Sequence, residues 1–203
     1  MKKSIISFVT LTALVSAAVA APQTFDFKDP KGVNNAIFKL DAPLEAINGS
    51  ATGISGTISY DPEKPAATKG KIVVAASSLH VGNPMMKEHL QSDQWMDVKK
   101  YPEVTFDVTE LKNPKTEGNV TTAEASGKFT AHGITKDLTV PIKLTYLKDK
   151  LSQRVPNLKG DLLVVRSNFT IKRSDFGLMP GKMEEKVSDT IDLTLSIAGA
   201  SKK

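Results

Sequence analysis

The sequence of 203 residues contains no cysteine. This absence excludes disulfides, thiol catalysis, thiolate metal sites and lipid attachment through an N-terminal cysteine. Only three histidines are present, His80, His89 and His132, and no two of them have the i, i+4 spacing of a helical metal pair. The stability of the chain must therefore come from its hydrophobic core, and we expect no metal and no cofactor.

Aromatic residues and runs of like charge are also scarce. Aromatics make up 6% of the chain, which predicts an interior lined by medium-sized side chains, with few bulky rings to plug it. The formal net charge of +5 arises from basic residues scattered among acidic ones. A mild, dispersed charge argues against nucleic-acid binding.

The one long hydrophobic run lies at the N-terminus. Lys2 and Lys3 precede an uncharged, mostly apolar stretch at 5–19, which ends in Ala18-Val19-Ala20. This order is typical of a secretory signal peptide, and the run is short for a membrane span of about 20 residues. An uncleaved anchor is the alternative. We predict cleavage after residue 20, a single domain at 21–203, a periplasmic or secreted location and no stable membrane insertion.

Beyond residue 20, alternation of apolar and polar residues dominates the chain. Period-two alternation with many β-branched residues is the pattern of half-buried antiparallel strands. The clearest predicted strands are residues 54–60, 104–108, 138–146, 168–172 and 191–197, and less regular ones are 36–40, 71–77, 123–130 and 162–165. Turn-forming residues separate them, including the segment 112–115 and the pair His132-Gly133.

These strands predict an all-β fold, either a sandwich or a barrel of about eight strands. One short helical segment is predicted near residues 84–99, where Met86, Leu90 and Met96 have helical separations and Pro84 suits a first helical position. A barrel of this size is either just filled by side chains or leaves room for one small ligand. A solid sandwich core is the competing interpretation, and the pattern alone does not separate the two.

Three ordered motifs resemble a known family. They are His89-Leu90 with Trp95-Met96-Asp97, Tyr101-Pro102 and Phe106; then 127–136, GKFTAHGITK; then 171–178, IKRSDFGL. The set is similar to the motifs of the YceI-like family of exported lipid- and polyisoprenoid-binding proteins, and the likeness is firm from about residue 53 to residue 197. Where family members usually carry histidines in the first strand and following turn, this chain has Asn34-Asn35 and Leu44-Glu45. Two positions before His89, where family members commonly carry an acidic residue, this chain has Lys87.

The resemblance implies an extended antiparallel β-barrel of about eight strands, lipocalin-like in shape, with a tunnel for a long apolar chain. The implied function is a carrier for a polyisoprenoid, an isoprenoid quinone or a fatty-acid-like lipid, with no catalytic residues. We expect the inward-facing side chains to line the tunnel. They are Ile58, Val74, Val104, Phe106, Phe129, Val140, Ile142, Leu144, Phe169, Leu193 and Leu195, together with Trp95 of the helical segment.

Five further residues are predicted at the mouth or in structural polar contacts: His89, Tyr101, His132, Arg173 and Asp175. Buried charges persist only when paired and hydrogen-bonded, so we expect Arg173 to pair with a buried carboxylate, Asp93 or Asp97. We expect Asp175 to cap a turn. His132-Gly133 is expected to form a hairpin, with glycine supplying the positive φ.

Two other functions remain open from the sequence. One is a packed-shut structural or stress-associated interaction domain without a ligand. The other is a hydrolase or isomerase that uses His132 or His89 with a carboxylate, although no nucleophile stands at motif spacing from either histidine. A homodimer is also left open. We favour the carrier, and we expect no enzymatic activity.

Overall fold

The computed structural model describes residues 22–203, and the predicted signal peptide at 1–20 lies outside the described residues. The strands are β1 (Gln23–Asp26), β2 (Asn35–Asp41), β3 (Ala46–Ala51), β4 (Ile54–Tyr60), β5 (Lys69–Ala75), β6 (Leu79–Val81), β7 (Glu103–Glu117), β8 (Val120–Ala131), β9 (Ile134–Leu147), β10 (Gly160–Lys172) and β11 (Thr190–Lys202). The helices are α1 (Pro84–Gln91) and α2 (Leu151–Arg154), with 3₁₀ turns at Pro65–Ala67, Ala76–Ser78 and Ser174–Phe176. Within residues 22–203, no helix has the length and apolar character needed to cross a membrane.

Eight strands close into an antiparallel barrel. Their order around the barrel is β1, β4, β5, β7, β8, β9, β10 and β11, and the pairing of Asp26 with Ala200 joins β1 to β11. β2, β3 and β6 extend the wall from the same edge of β11 that receives β1. The predicted all-β barrel of about eight strands is therefore confirmed.

A buried asparagine lets β11 change partners along one edge. Residues 192–196 of β11 pair with β2, whereas Ala200 pairs with β1. Between the two pairings, Asn34 is 1% exposed, donates to the carbonyls of Phe27 and Ala198, and accepts from the Ala198 N–H. Because a buried amide is stable only when its hydrogen bonds are made, Asn34 holds the bend between β1 and β2.

Helix α1 begins at the predicted residue, Pro84, and ends at Gln91, before the predicted end near residue 99. The Asn83 side chain accepts hydrogen bonds from the N–H groups of Met85 and Met86, and Pro84 occupies the first turn. The helix ends at Gln91, whose amide donates to the carbonyls of Ser77 and Leu79 beside β6. The second half of the predicted segment forms turns that bury Met96.

The expected turn at 112–115 is wrong. β7 runs through this segment, and its register against β8 shifts between Lys112 and Lys115, with Asn113 at a φ of 51°. Pro114 has no N–H to give to the ladder, and an irregular register accommodates that loss without ending the strand.

Candidate ligand-binding cavity

The barrel encloses one large apolar cavity of about 540 Å³. Small-molecule sites in proteins have volumes of about 300–1,000 Å³, so there is room for one ligand. The wall is made mostly of carbon atoms from the inward faces of the strands, from α1 and from the loop after β10. The interior is therefore hollow, and it does not have the solid core of a packed sandwich.

The structure places all twelve predicted tunnel residues on the cavity wall. These are Ile58, Val74, Trp95, Val104, Phe106, Phe129, Val140, Ile142, Leu144, Phe169, Leu193 and Leu195. Their contact with a ligand stays a prediction. Sequence reasoning missed Phe38, Leu40 and Val81, although the alternation in β2 was legible, and it missed Met183 and Val187, whose loop has no periodicity.

Aromatic rings close one end of the cavity. Phe25, Tyr60 and Tyr146 meet with centroids 6.1–6.4 Å apart, and Phe25 is fully buried. The Tyr60 hydroxyl lies 3.2 Å from the Thr121 hydroxyl, and Thr121 pairs with Leu144 of the cavity wall. The three rings come together from distant strands, and none of them lies on the cavity wall itself.

A buried carboxylate anchors this closed end. Asp161 has no exposed surface, and it accepts hydrogen bonds from the Tyr146 hydroxyl, the Asp149 N–H and the Lys203 ammonium, each at 2.8 Å. Burial, the strongest single influence, raises the pKa of Asp161. The hydrogen bonds from Lys203, Asp149 and Tyr146 together outweigh burial and lower the pKa to about 2.

The substitution Asp161→Asn should weaken the acid sensitivity of folding. The carboxylate has an ordinary pKa of 3.8 and a pKa of about 2 when folded. It therefore stabilises the fold above about pH 4, and this contribution is lost as the pH falls toward 2. Between about pH 5 and pH 2 the wild type should lose on the order of 2 kcal/mol that the variant does not lose, measured by urea unfolding. Asp149→Asn, which removes an exposed partner of the same Lys203, should keep most of the wild-type dependence.

The opposite end of the cavity is its mouth. Among the described lining residues, the solvent-exposed ones come from three segments: the turn between β2 and β3, the start and face of α1, and the loop after β10. They are Glu45, Asn83, Met85, His89, Met183 and Lys186. We call residues 44–45, 83–89 and 182–186 the rim. A second, more open depression of about 470 Å³ adjoins the rim between β3 and α1.

One wall of the mouth is a loop, 177–189, held by Arg173. The Arg173 side chain is 1% exposed, and its guanidinium donates only to loop carbonyls. Nε bonds to Val187 and Ser188, Nη1 to Leu178 and Met179, and Nη2 to Lys182 and Val187. The guanidinium also lies over the Trp95 ring, 5.9 Å from its centroid.

The predicted carboxylate partner of Arg173 is therefore wrong. Neither Asp93 nor Asp97 bonds to Arg173, and five backbone carbonyls take their place. A guanidinium has five N–H donors, and all of them point at loop carbonyls. Arg173 consequently has no donor left for the head group of a ligand.

The predicted capping role of Asp175 is also wrong. Asp175 is exposed, whereas Asp189 accepts hydrogen bonds from the Ser174 N–H at 3.0 Å and the Ser174 hydroxyl at 2.9 Å. Burial raises the pKa of Asp189, and the bonds from Ser174 with the nearby Arg173 charge lower it overall. Asp189 therefore ties the far end of the loop to the 3₁₀ turn.

His132 and Tyr101 lie outside the cavity wall. His132 and Gly133 both have positive φ, 49° and 74°, as the tight turn between β8 and β9 requires. The His132 ring packs on Tyr101 at 4.7 Å, and Nδ1 lies 3.1 Å from the Phe176 carbonyl. His89 is on the rim. Across residues 22–203, no carboxylate is hydrogen-bonded to either histidine and no group of three or more His, Asp or Glu residues could hold a metal ion.

Comparison with known proteins gives one consistent family. The profile of the YceI-like domain matches residues 29–198. A UPF0312 protein of Pseudomonas savastanoi pv. phaseolicola is 31% identical over 210 residues, which cover all of both chains.

Two solved structures share the fold. The crystal structure of the Campylobacter jejuni YceI protein aligns with a TM-score of 0.63 and 20% identity, covering all of both chains. A polyisoprenoid-binding domain from Saccharophagus degradans, implicated in plant cell wall breakdown, aligns with a TM-score of 0.65 and 13% identity, covering 89% of this chain and 99% of that one.

Proposed function

The chain belongs to the YceI-like family, and on that premise we propose that it is a binding protein that carries a long apolar molecule inside its barrel. The observation that carries the proposal is the apolar cavity of about 540 Å³. Its closed end is built from the rings of Phe25, Tyr60 and Tyr146, and its mouth is built from the rim. A blind apolar tunnel fits a chain-like ligand that is inserted end first.

The cavity chemistry favours burial of hydrocarbon over recognition of polar groups. Removing apolar surface from water contributes about 25 cal/mol per Å², so a chain of several isoprene or acyl units is held without a strong polar anchor. Arg173, the one buried cation on the described wall, has all its donors engaged. We infer that ligand choice depends mainly on chain length and that the head group stays at the rim.

The ligand class we propose is a polyisoprenoid, an isoprenoid quinone or a fatty-acid-like lipid. The Saccharophagus domain with the same fold is described as binding polyisoprenoids, which supports the first of these. The signal-peptide pattern at 1–20 supports a carrier that works in the periplasm or outside the cell.

Extraction of the natively exported protein tests both proposals. The full chain is expressed in a Gram-negative host, purified from the periplasm and extracted with organic solvent for mass spectrometry. We expect an intact mass that begins at Ala21 and a co-purified chain lipid in near-stoichiometric amount. If protein stripped of lipid also binds no member of a graded series of prenyl and acyl chains, the carrier proposal fails and the packed-shut interaction domain replaces it.

A further inference from the structure

We propose that the rim docks onto the surface of a lipid bilayer, so that an apolar chain passes between membrane and cavity without crossing water. This inference rests on the proposed carrier function. It adds a partner, the uncharged surface of a membrane, and a route for the ligand.

The first observation is the location of exposed apolar side chains. Six large hydrophobic residues of the described chain are exposed, and three of them lie on the rim. Leu44 is 65% exposed, Met85 67% and Met183 52%. Each comes from a different one of the three segments that surround the mouth. Each of the three segments that form the mouth therefore carries one exposed apolar side chain.

The second observation is that the rim is held together in this arrangement. The Leu44 N–H donates to the Glu185 carbonyl at 2.9 Å, which joins the turn between β2 and β3 to the loop after β10. Arg173 fixes that loop through the Lys182 and Val187 carbonyls on either side of Met183. Met183 itself has a φ of 58°, an unfavourable conformation for a long side chain. The fold thus holds an exposed thioether at the mouth despite a local cost.

The charge of the rim selects among partners. It contains the acids Glu45, Glu88, Glu184 and Glu185 and the bases Lys87, Lys182 and Lys186. A nearly balanced, slightly acidic rim gives no electrostatic attraction to anionic lipid, in contrast to the basic patches of proteins that bind acidic membranes. Docking must then come from insertion of apolar side chains into the interface of neutral lipid.

The size of the apolar rim argues against a protein partner. A stable protein interface uses about 20–30 residues a side, and three separate side chains do not approach that. Docking on a bilayer needs only a small contact area, because its effect is to keep the apolar chain out of water during transfer. Exposure of each methylene to water lowers the equilibrium constant for leaving the membrane by about fourfold. A mouth that opens directly into the lipid headgroup region therefore removes a large barrier to transfer.

Flotation with vesicles and chain-transfer kinetics test the proposal. The probe is neutral phosphatidylcholine vesicles that contain a fluorescent long-chain acyl lipid, mixed with the mature protein. The triple variant Leu44→Ser/Met85→Ser/Met183→Ser should lower both vesicle binding and the transfer rate about tenfold, because it loses all three inserting side chains. The control is Val33→Ser/Ile37→Ser, two exposed apolar residues outside the rim, and it should behave as wild type. Added salt or anionic lipid should not strengthen binding.

A single variant separates this proposal from the carrier function. Leu44 is not on the cavity wall, so Leu44→Ser should slow transfer from vesicles but leave equilibrium binding of a short, water-soluble chain within about twofold. Equal transfer by the rim variant and the control variant, or binding that requires anionic lipid, would overturn membrane docking while wild-type binding of the soluble chain still supports the carrier. Loss of a wild-type dimer in the rim variant would identify the rim as a contact between two copies and would also overturn it.

Discussion

Leu144→Trp is expected to lower affinity for the longest ligands while leaving short ones bound. Leu144 is 2% exposed and lies on the cavity wall next to Thr121, which contacts Tyr60 of the closed end. An indole at this position fills the deepest part of the tunnel. If two methylenes no longer fit, affinity falls about fifteenfold at about 0.8 kcal/mol each. Binding of a graded prenyl or acyl series by titration measures the effect.

The matched control for this substitution is Lys143→Trp. Lys143 is the neighbouring residue of β9 and faces solvent, so its variant should bind every chain length as wild type does. A filled core would respond to Leu144→Trp with about 1–3 kcal/mol of overpacking and no dependence on chain length. Destabilisation of that size, without a change in length preference, would contradict an open tunnel.

Arg173→Ala should destabilise the protein by about 3–5 kcal/mol, because it removes the donor of a buried hydrogen-bond network. The physical reason is the loss of donors for five loop carbonyls, each of which costs about 1–3 kcal/mol when buried without a partner, less what relaxation of the loop recovers. The loop 177–189 should detach first. Thermal and urea unfolding measure the stability, and limited proteolysis locates the opened loop.

Two further arginine variants sharpen this test. Arg166→Ala removes an exposed arginine of β10, the strand that ends just before Arg173. Arg166 bonds to the carbonyls of Val165 and Ile197, and its loss should cost less than about 1 kcal/mol. Arg173→Lys keeps the charge but loses the planar fork of donors, so it should fall between wild type and Arg173→Ala. An unchanged melt for Arg173→Ala together with lost ligand binding would make Arg173 a head-group contact instead.

For Arg173, the structural role could be predicted from the sequence, but the hydrogen-bond partners could not. Its structural role could be expected, because a charge that is buried persists only when it is hydrogen-bonded. Its partners could not, because backbone carbonyls carry no residue-specific signal. The two aspartates chosen as partners were plausible in charge but do not bond to it, and the loop that supplies the carbonyls has no periodicity.

The sequence by itself determined the all-β class and which side chains of each regular strand share one face. Alternation with period two is a local property of each strand, so the inward residues of β4, β5 and β7–β11 could be read before any tertiary contact was known. The hairpin at His132-Gly133 followed in the same way from the backbone freedom of glycine.

Only the tertiary structure decided which end of the tunnel is closed and what surrounds its mouth. The closed end joins Phe25, Tyr60 and Tyr146, and the rim joins three segments centred on residues 44, 86 and 184. These groups are separated by tens of residues along the chain, and no local pattern relates them. They meet because barrel closure at Asp26 and Ala200 and the Asn34 bend set where the strand ends lie, and that geometry belongs to the whole sheet and to no single strand.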